Sequence, residues 1–94
     1  MRFRTPFDEV QRDAAAKHYS DMRVYIHTLR DRYPPNSREA RDLLRCLREM
    51  VQDFARELLK PHGRINVTRL NRLSAAMIQL SVDYIVARET PDMR

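Results

Sequence analysis

The stretch from Ser37 to Lys60 constrains this chain more than any other. On a helix at about 100° per residue, its side chains separate into three stripes. Ala40, Leu43, Leu44, Leu47, Met50, Val51, Phe54 and Leu58 fall within an arc of roughly 120°, the width of a core-facing stripe. Arg38, Arg41, Arg45, Arg48 and Arg56 fill a second arc, and Glu39, Asp42, Glu49, Asp53 and Glu57 a third. The apolar stripe demands a helix packed on a core. The arginine stripe has two readings. It is a solvated face, with Arg38 beside Asp42 and Arg45 beside Glu49 at i,i+4, each pair contributing only about 0.3–0.5 kcal/mol. Or it binds an anion, first of all at Arg38, in the first turn, where free backbone N–H groups already favour negative charge.

A helix of this kind needs partners, and the flanking segments supply two. Residues 1–4 read as a short basic leader. The first partner helix is expected over about residues 6–33. Thr5 can cap it, Pro6 suits the first helical position and Asp8 favours the dipole. Phe7, Val10, Ala14, His18, Met22, Tyr25, Ile26 and Leu29 hold one face. Residues 11–18 are weakly apolar, so a bend or break is expected near Ala14–Ala16. His18, on the apolar face, reads as a structural histidine rather than a ligand. A different face carries Arg12, Tyr19, Arg23, His27 and Arg30 at helical spacing. A ring to stack on a base, with guanidinium groups for phosphate, is what a nucleotide site needs. The other reading is a tyrosine edging the core among solvated charges.

Pro34-Pro35-Asn36 is a short connection, so the first two helices should form an antiparallel hairpin. Asn36 or Ser37 caps the second helix, and Glu39 can complete a capping box with Asn36. That helix, about residues 37–60, stops at Pro61-His62-Gly63, which includes the only glycine. A third helix over about 67–89 starts at Asn66 or Thr68. Leu70, Leu73, Met77, Leu80 and Tyr84 form its 3,4,3,4 seam. Val67, Ile78, Val82, Ile85 and Val86 spread around most of the remainder, leaving Arg69, Arg72, Gln79 and Asp83 as a narrow polar strip. Two partner helices cannot cover so much apolar surface. Self-association into a symmetric homo-oligomer is therefore expected. Thr90–Arg94 reads as a frayed tail.

The chain of 94 residues is thus expected to be all-α, a single domain folded as an oligomeric three-helix bundle. Such a domain buries about 60–65% of its extended-chain surface, which leaves no bulk for an enclosed active site. The net charge is +5, carried by sixteen Arg and two Lys against thirteen acids. Arginine suits bidentate recognition of phosphate or carboxylate. The lone Cys46 excludes an internal disulfide, reads as a structural thiol and fits a reducing compartment. No apolar run approaches the roughly 18 residues of a membrane span, and Met1–Pro6 lacks a signal-peptide apolar core. A cytoplasmic protein is expected, without membrane contact.

Catalytic patterns are missing. There is no Gly-rich phosphate loop, no zinc spacing among His18, His27, His62 and Cys46, and no nucleophile beside a base. The chain reads as a non-enzyme without metal or cofactor. A helix-turn-helix is disfavoured, because Lys60–Ile65 is not the tight turn that motif uses.

The segment Pro35-Asn36-Ser37-Arg38-Glu39-Ala40, followed by Leu44, Leu47 and Glu49, resembles the signature of the small helical anti-CBASS sponge proteins of phages. In that family a Pro-x-Ser-Arg-Glu turn opens a helix with a Leu-x-Glu further on. An upstream helix with a basic, aromatic-containing face ends in that turn, and His18 and Arg23 stand roughly at its basic positions. The match covers about residues 18–50. The resemblance implies a homo-oligomer, acting in the bacterial host's cytoplasm. It would bind cyclic di- and trinucleotide signals between subunits and withhold them without cleaving them. The candidate ligand-binding residues are Arg12, Tyr19, Arg23, Ser37, Arg38, Arg41 and Arg45. Two other readings stay open. One is a small helical protein-interaction module that inhibits a bacterial defence complex through the over-apolar third helix. The other is a basic nucleic-acid-binding domain using Arg64, Arg69 and Arg72.

Overall fold

A computed structural model describes residues 2–89, apart from the side chain of His62. Residues 90–94, where the tail was expected, lie outside the described residues. The described residues form three α-helices, α1 (Glu9–Arg32), α2 (Arg38–Leu58) and α3 (Val67–Glu89), with a 3-10 turn at His62–Arg64 between the last two. They contain no strand. The order is the one the sequence implies. No helix among the described residues is long and apolar enough to cross a membrane.

Helix starts follow local hydrogen-bonding chemistry. Asp8, not Thr5, caps α1, its carboxylate accepting from Gln11 N at 2.9 Å. Pro6 is instead an acceptor outside the helix, its carbonyl taking Gln11 Nε2 at 2.8 Å. The helix is continuous through Ala14–Ala16, where the small side chain of Ala15 is fully buried. Ser37 caps α2, Oγ accepting from Ala40 N at 3.1 Å. Asn36 is used differently. Its Nδ2 donates to the Arg88 carbonyl at 3.0 Å and ties the α1–α2 connection to the end of α3. Asn66 caps α3, its Oδ1 accepting from Arg69 N at 3.0 Å.

The core is built on α2. Ala40, Leu44, Leu47, Val51, Phe54 and Leu58 are buried, with Leu43 and Met50 at the margin, so the sequence stripe and the buried face coincide. Each large side chain so buried contributes about 1.5–3 kcal/mol. The exposed pairs, such as Arg45–Asp42 at 3.2 Å and Arg56–Asp53 at 2.9 Å, contribute far less. Those are i,i+3 partners, not the i,i+4 pairs expected. On α3, Leu70, Leu73, Met77 and Tyr84 are buried along the anticipated seam, with Leu80 half-buried. On α1, Met22, Ile26 and Leu29 point inward, whereas Val10 is 77% exposed and does not belong to the core face.

Two residues read as surface turn out to be interior. Phe3, in the supposed basic leader, is buried against Phe7 and Phe54, with ring centroids 5.9 and 6.3 Å away. Its N–H donates to Asn71 Oδ1 at 2.7 Å and its carbonyl accepts from Asn71 Nδ2 at 2.9 Å, so the N-terminal segment is pinned to α3. Glu57, assigned to the acidic stripe, is 2% exposed beneath the α2–α3 turn. It accepts from Asn66 N at 2.9 Å and Lys60 Nζ at 3.0 Å, with Arg69 Nε at 3.4 Å. Conversely Cys46, expected to be structural, lies exposed.

The α2 helix packs against both α1 and α3. No Cα pair between α1 and α3 comes within 8 Å. These two are joined instead by side chains: His18 Nε2 meets Ser74 Oγ at 3.1 Å, with the imidazole edge-on to Phe54, and the Tyr84 hydroxyl donates to the Tyr33 carbonyl.

Burial would raise the Glu57 carboxyl, but the Asn66 N–H, the Lys60 ammonium and the Arg69 guanidinium outweigh it and hold it below the usual carboxylate value. Its contribution is therefore present above the carboxylate range and lost as pH falls through it. Glu57→Gln should cost about 1.5–3 kcal/mol at pH 7, a Tm drop of roughly 10 °C. It should also flatten the acid limb of a Tm-versus-pH curve measured by circular dichroism. For His18, burial lowers the imidazole below its ordinary value, opposed by Asp21. The fold thus favours neutral His18 and loses stability as pH drops through the free-histidine range. Between pH 7.5 and 5.5 the wild-type Tm should fall, and His18→Gln should remove that slope.

Candidate functional site

The candidate site follows from how α1 and α2 meet. The buried row of α1, ending in Ile26 and Leu29, faces the buried row of α2. Residues one step around each helix then converge at the seam. On α1 these are Tyr19, Arg23, His27 and Arg30; on α2 they are Arg48 and Gln52. They line a groove of about 320 Å³ together with Ile26 and Val51, and none of its lining residues is acidic.

Within the groove, Arg23 meets an aromatic ring and Arg30 an imidazole. Arg23 sits 5.8 Å from the Tyr19 ring centroid, a cation–π distance, with Nη1 3.5 Å from the Tyr19 hydroxyl. Arg30 Nη2 lies 3.1 Å from His27 Nδ1, within hydrogen-bond distance. The Arg30 Nε contacts Asp31 outside the groove at 3.5 Å. Arg48 comes from the opposite wall and has no partner among the described residues. Three guanidinium groups thus share one concave surface with no acid in its lining. Such a surface concentrates positive potential and attracts an anion.

Of the seven residues singled out from sequence, Tyr19 and Arg23 line this groove. Arg41 and Arg45 occupy the same strip of α2 nearer its start, both exposed, with Arg45 paired to Asp42. Arg12 is elsewhere. Its Nη2 donates to the Leu58 carbonyl at 3.4 Å and so closes the C-terminal end of α2. Ser37 is occupied in capping, and Arg38 lies in the first turn of α2, neither lining the groove. Arg48 was legible only as one of five arginines in a stripe. Helical spacing shows which residues share a face, but not which of them a neighbouring helix will confront.

Elsewhere, Arg69 and Arg72 border a shallower depression with Asn66 and Thr68. There Arg69 is committed to Glu57. No group of three or more potential metal ligands occurs among the described residues. No protein-family model, curated protein or solved structure matches the chain.

Three like charges on one surface repel when nothing is bound, and salt screens them. At low ionic strength, Arg48→Gln should raise the Tm of the free protein. Added inorganic pyrophosphate should raise the wild-type Tm more than that of the variant. Equal shifts in both would remove Arg48 from the anion site.

Proposed function

We propose that this protein is a non-catalytic binder of cyclic di- or trinucleotides. It works as a homo-oligomer in the cytoplasm of a bacterial host and withholds the messenger from an immune effector, as the phage sponge proteins it resembles do. The observation that carries this reading is the unpaired Arg48 facing the Tyr19–Arg23 pair and Arg30 across a groove with no acidic lining. A phosphodiester meets guanidinium groups there, and a base can stack on the tyrosine ring, where contacts are tolerant of base identity. Sequestration needs affinity and no chemistry, which accords with a site built from donors and a ring.

The groove's size bears on the oligomer. About 320 Å³ lies at the small end of ligand pockets, roughly 300–1,000 Å³. A ring of two or three nucleotides overhangs it, and a second copy of the chain would cover the rest. The outer face of α3 supports such pairing: Ile78, Val82 and Ile85 are 50%, 49% and 39% exposed at 4,3 spacing.

The same exposed face favours a second reading, a protein-interaction module whose α3 stripe docks on a foreign partner. Sedimentation separates the two. A concentration-independent monomer favours the module, and a defined oligomer favours the sponge. Calorimetry with a panel of cyclic di- and trinucleotides then tests the ligand. Arg23→Ala and Arg48→Ala should each weaken binding about tenfold or more. No heat at micromolar protein, with the oligomer intact, ends the sponge reading.

A further inference from the structure

The cationic groove between α1 and α2 is not chemically uniform along its length. Arg12 Nη2 reaches the Leu58 carbonyl at 3.4 Å, which sets the register of the two helices. The chain turns back between Arg32 and Arg38, so α2 runs against α1. Both helices rise equally per residue. Counting from that contact, Tyr19 stands level with Val51 and Gln52, and Arg23 with Leu47 and Arg48. His27 and Arg30 lie further toward the connection. Arg48 and Gln52 share one strip of α2, a turn apart. The guanidinium groups therefore occupy the middle and one end of the groove, and Tyr19 with Gln52 the other end.

At the Tyr19 end the hydrogen-bonding groups differ in kind. Arginine only donates, and no carboxylate lines the groove. The Tyr19 hydroxyl already has Arg23 Nη1 at 3.5 Å. Gln52 is exposed on α2, and its carboxamide has no hydrogen-bond partner among the described residues. It presents an acceptor oxygen and a donor NH2 in one plane. What marks it out is its place, across the seam from the groove's tyrosine.

We infer that Gln52 reads the base of the bound cyclic nucleotide and selects adenine, an inference that rests on the groove being the nucleotide site proposed above. A base stacked on Tyr19 has Gln52 at its own level on the facing helix. Adenine offers an acceptor, N7, beside a donor, the N6 amine, and a glutamine matches that pair with two hydrogen bonds. On the same edge guanine offers two acceptors, O6 and N7, which suit an arginine fork instead. With Arg23, Arg30 and Arg48 engaged by phosphates, that edge of guanine sets an acceptor against the carboxamide oxygen. Stacking itself tolerates any base. The tyrosine ring thus supplies affinity, and the carboxamide supplies the choice.

The test is calorimetry of the full chain with cyclic di-AMP and cyclic di-GMP, which share their sugars and phosphates and differ in the base. The wild type should bind cyclic di-AMP roughly tenfold more tightly. Gln52→Met keeps the length and helix preference of this exposed side chain and removes its amide. It should weaken cyclic di-AMP about tenfold and leave cyclic di-GMP within about twofold, abolishing the preference. Tyr19→Leu should weaken both ligands alike, since stacking does not depend on base identity. Equal affinities in the wild type, a preference for cyclic di-GMP, or a preference kept in Gln52→Met would overturn the inference and leave the groove a nucleotide site. Binding of neither ligand by the wild type would overturn both readings.

Discussion

One constraint organises the molecule: among the described residues, α2 is the helix that packs on both others. Its stripe from Ala40 to Leu58 is apolar on the side that α1 and α3 share, and both lean on it. With α1 and α3 held apart, each flank of α1 becomes the wall of a groove. The flank toward α2 gathers Tyr19, Arg23, His27 and Arg30 against Arg48; the flank toward α3 gathers Tyr25 and Arg32 against Arg88. The two grooves are consequences of one packing arrangement.

Charge is distributed according to which neighbours each helix meets. Acids and arginines on the open face of α2 neutralise one another in exposed pairs that contribute little to stability. Glu57, by contrast, is buried under the turn and bound to a backbone N–H and two cations. Where α1 meets α2, no acid lines the groove, and Arg48 is left without a salt-bridge partner among the described residues.

Much of the fold was legible in the sequence. The α2 stripe, the α3 seam and the two breaks at Pro34-Pro35 and Pro61-His62-Gly63 follow from periodicity and turn chemistry, which are local. The errors were of another kind. Phe3 looked like part of a basic leader because it stands alone among arginines, yet Asn71, far along the chain, captures its backbone. Glu57 looked like another acid in a stripe, yet the α2–α3 turn closes over it. Arg12 shares a helical strip with Tyr19 and Arg23, but it reaches the end of α2 and not the groove. In each case the deciding partner is distant in sequence.

The candidate site divides along the same line. That α1 carries a ring and several cations on one face is a property of spacing, and the sequence alone determined it. So did the excess of apolar surface on α3, which leaves Ile78, Val82 and Ile85 uncovered. Which arginines become a site, and which are spent on caps, carbonyls or acids, was decided only when α1 and α3 came to rest on α2. Helical periodicity fixes the direction of a side chain about its own axis; what that side chain meets depends on the position and rotation of the next helix, and those are set by long-range packing of the core.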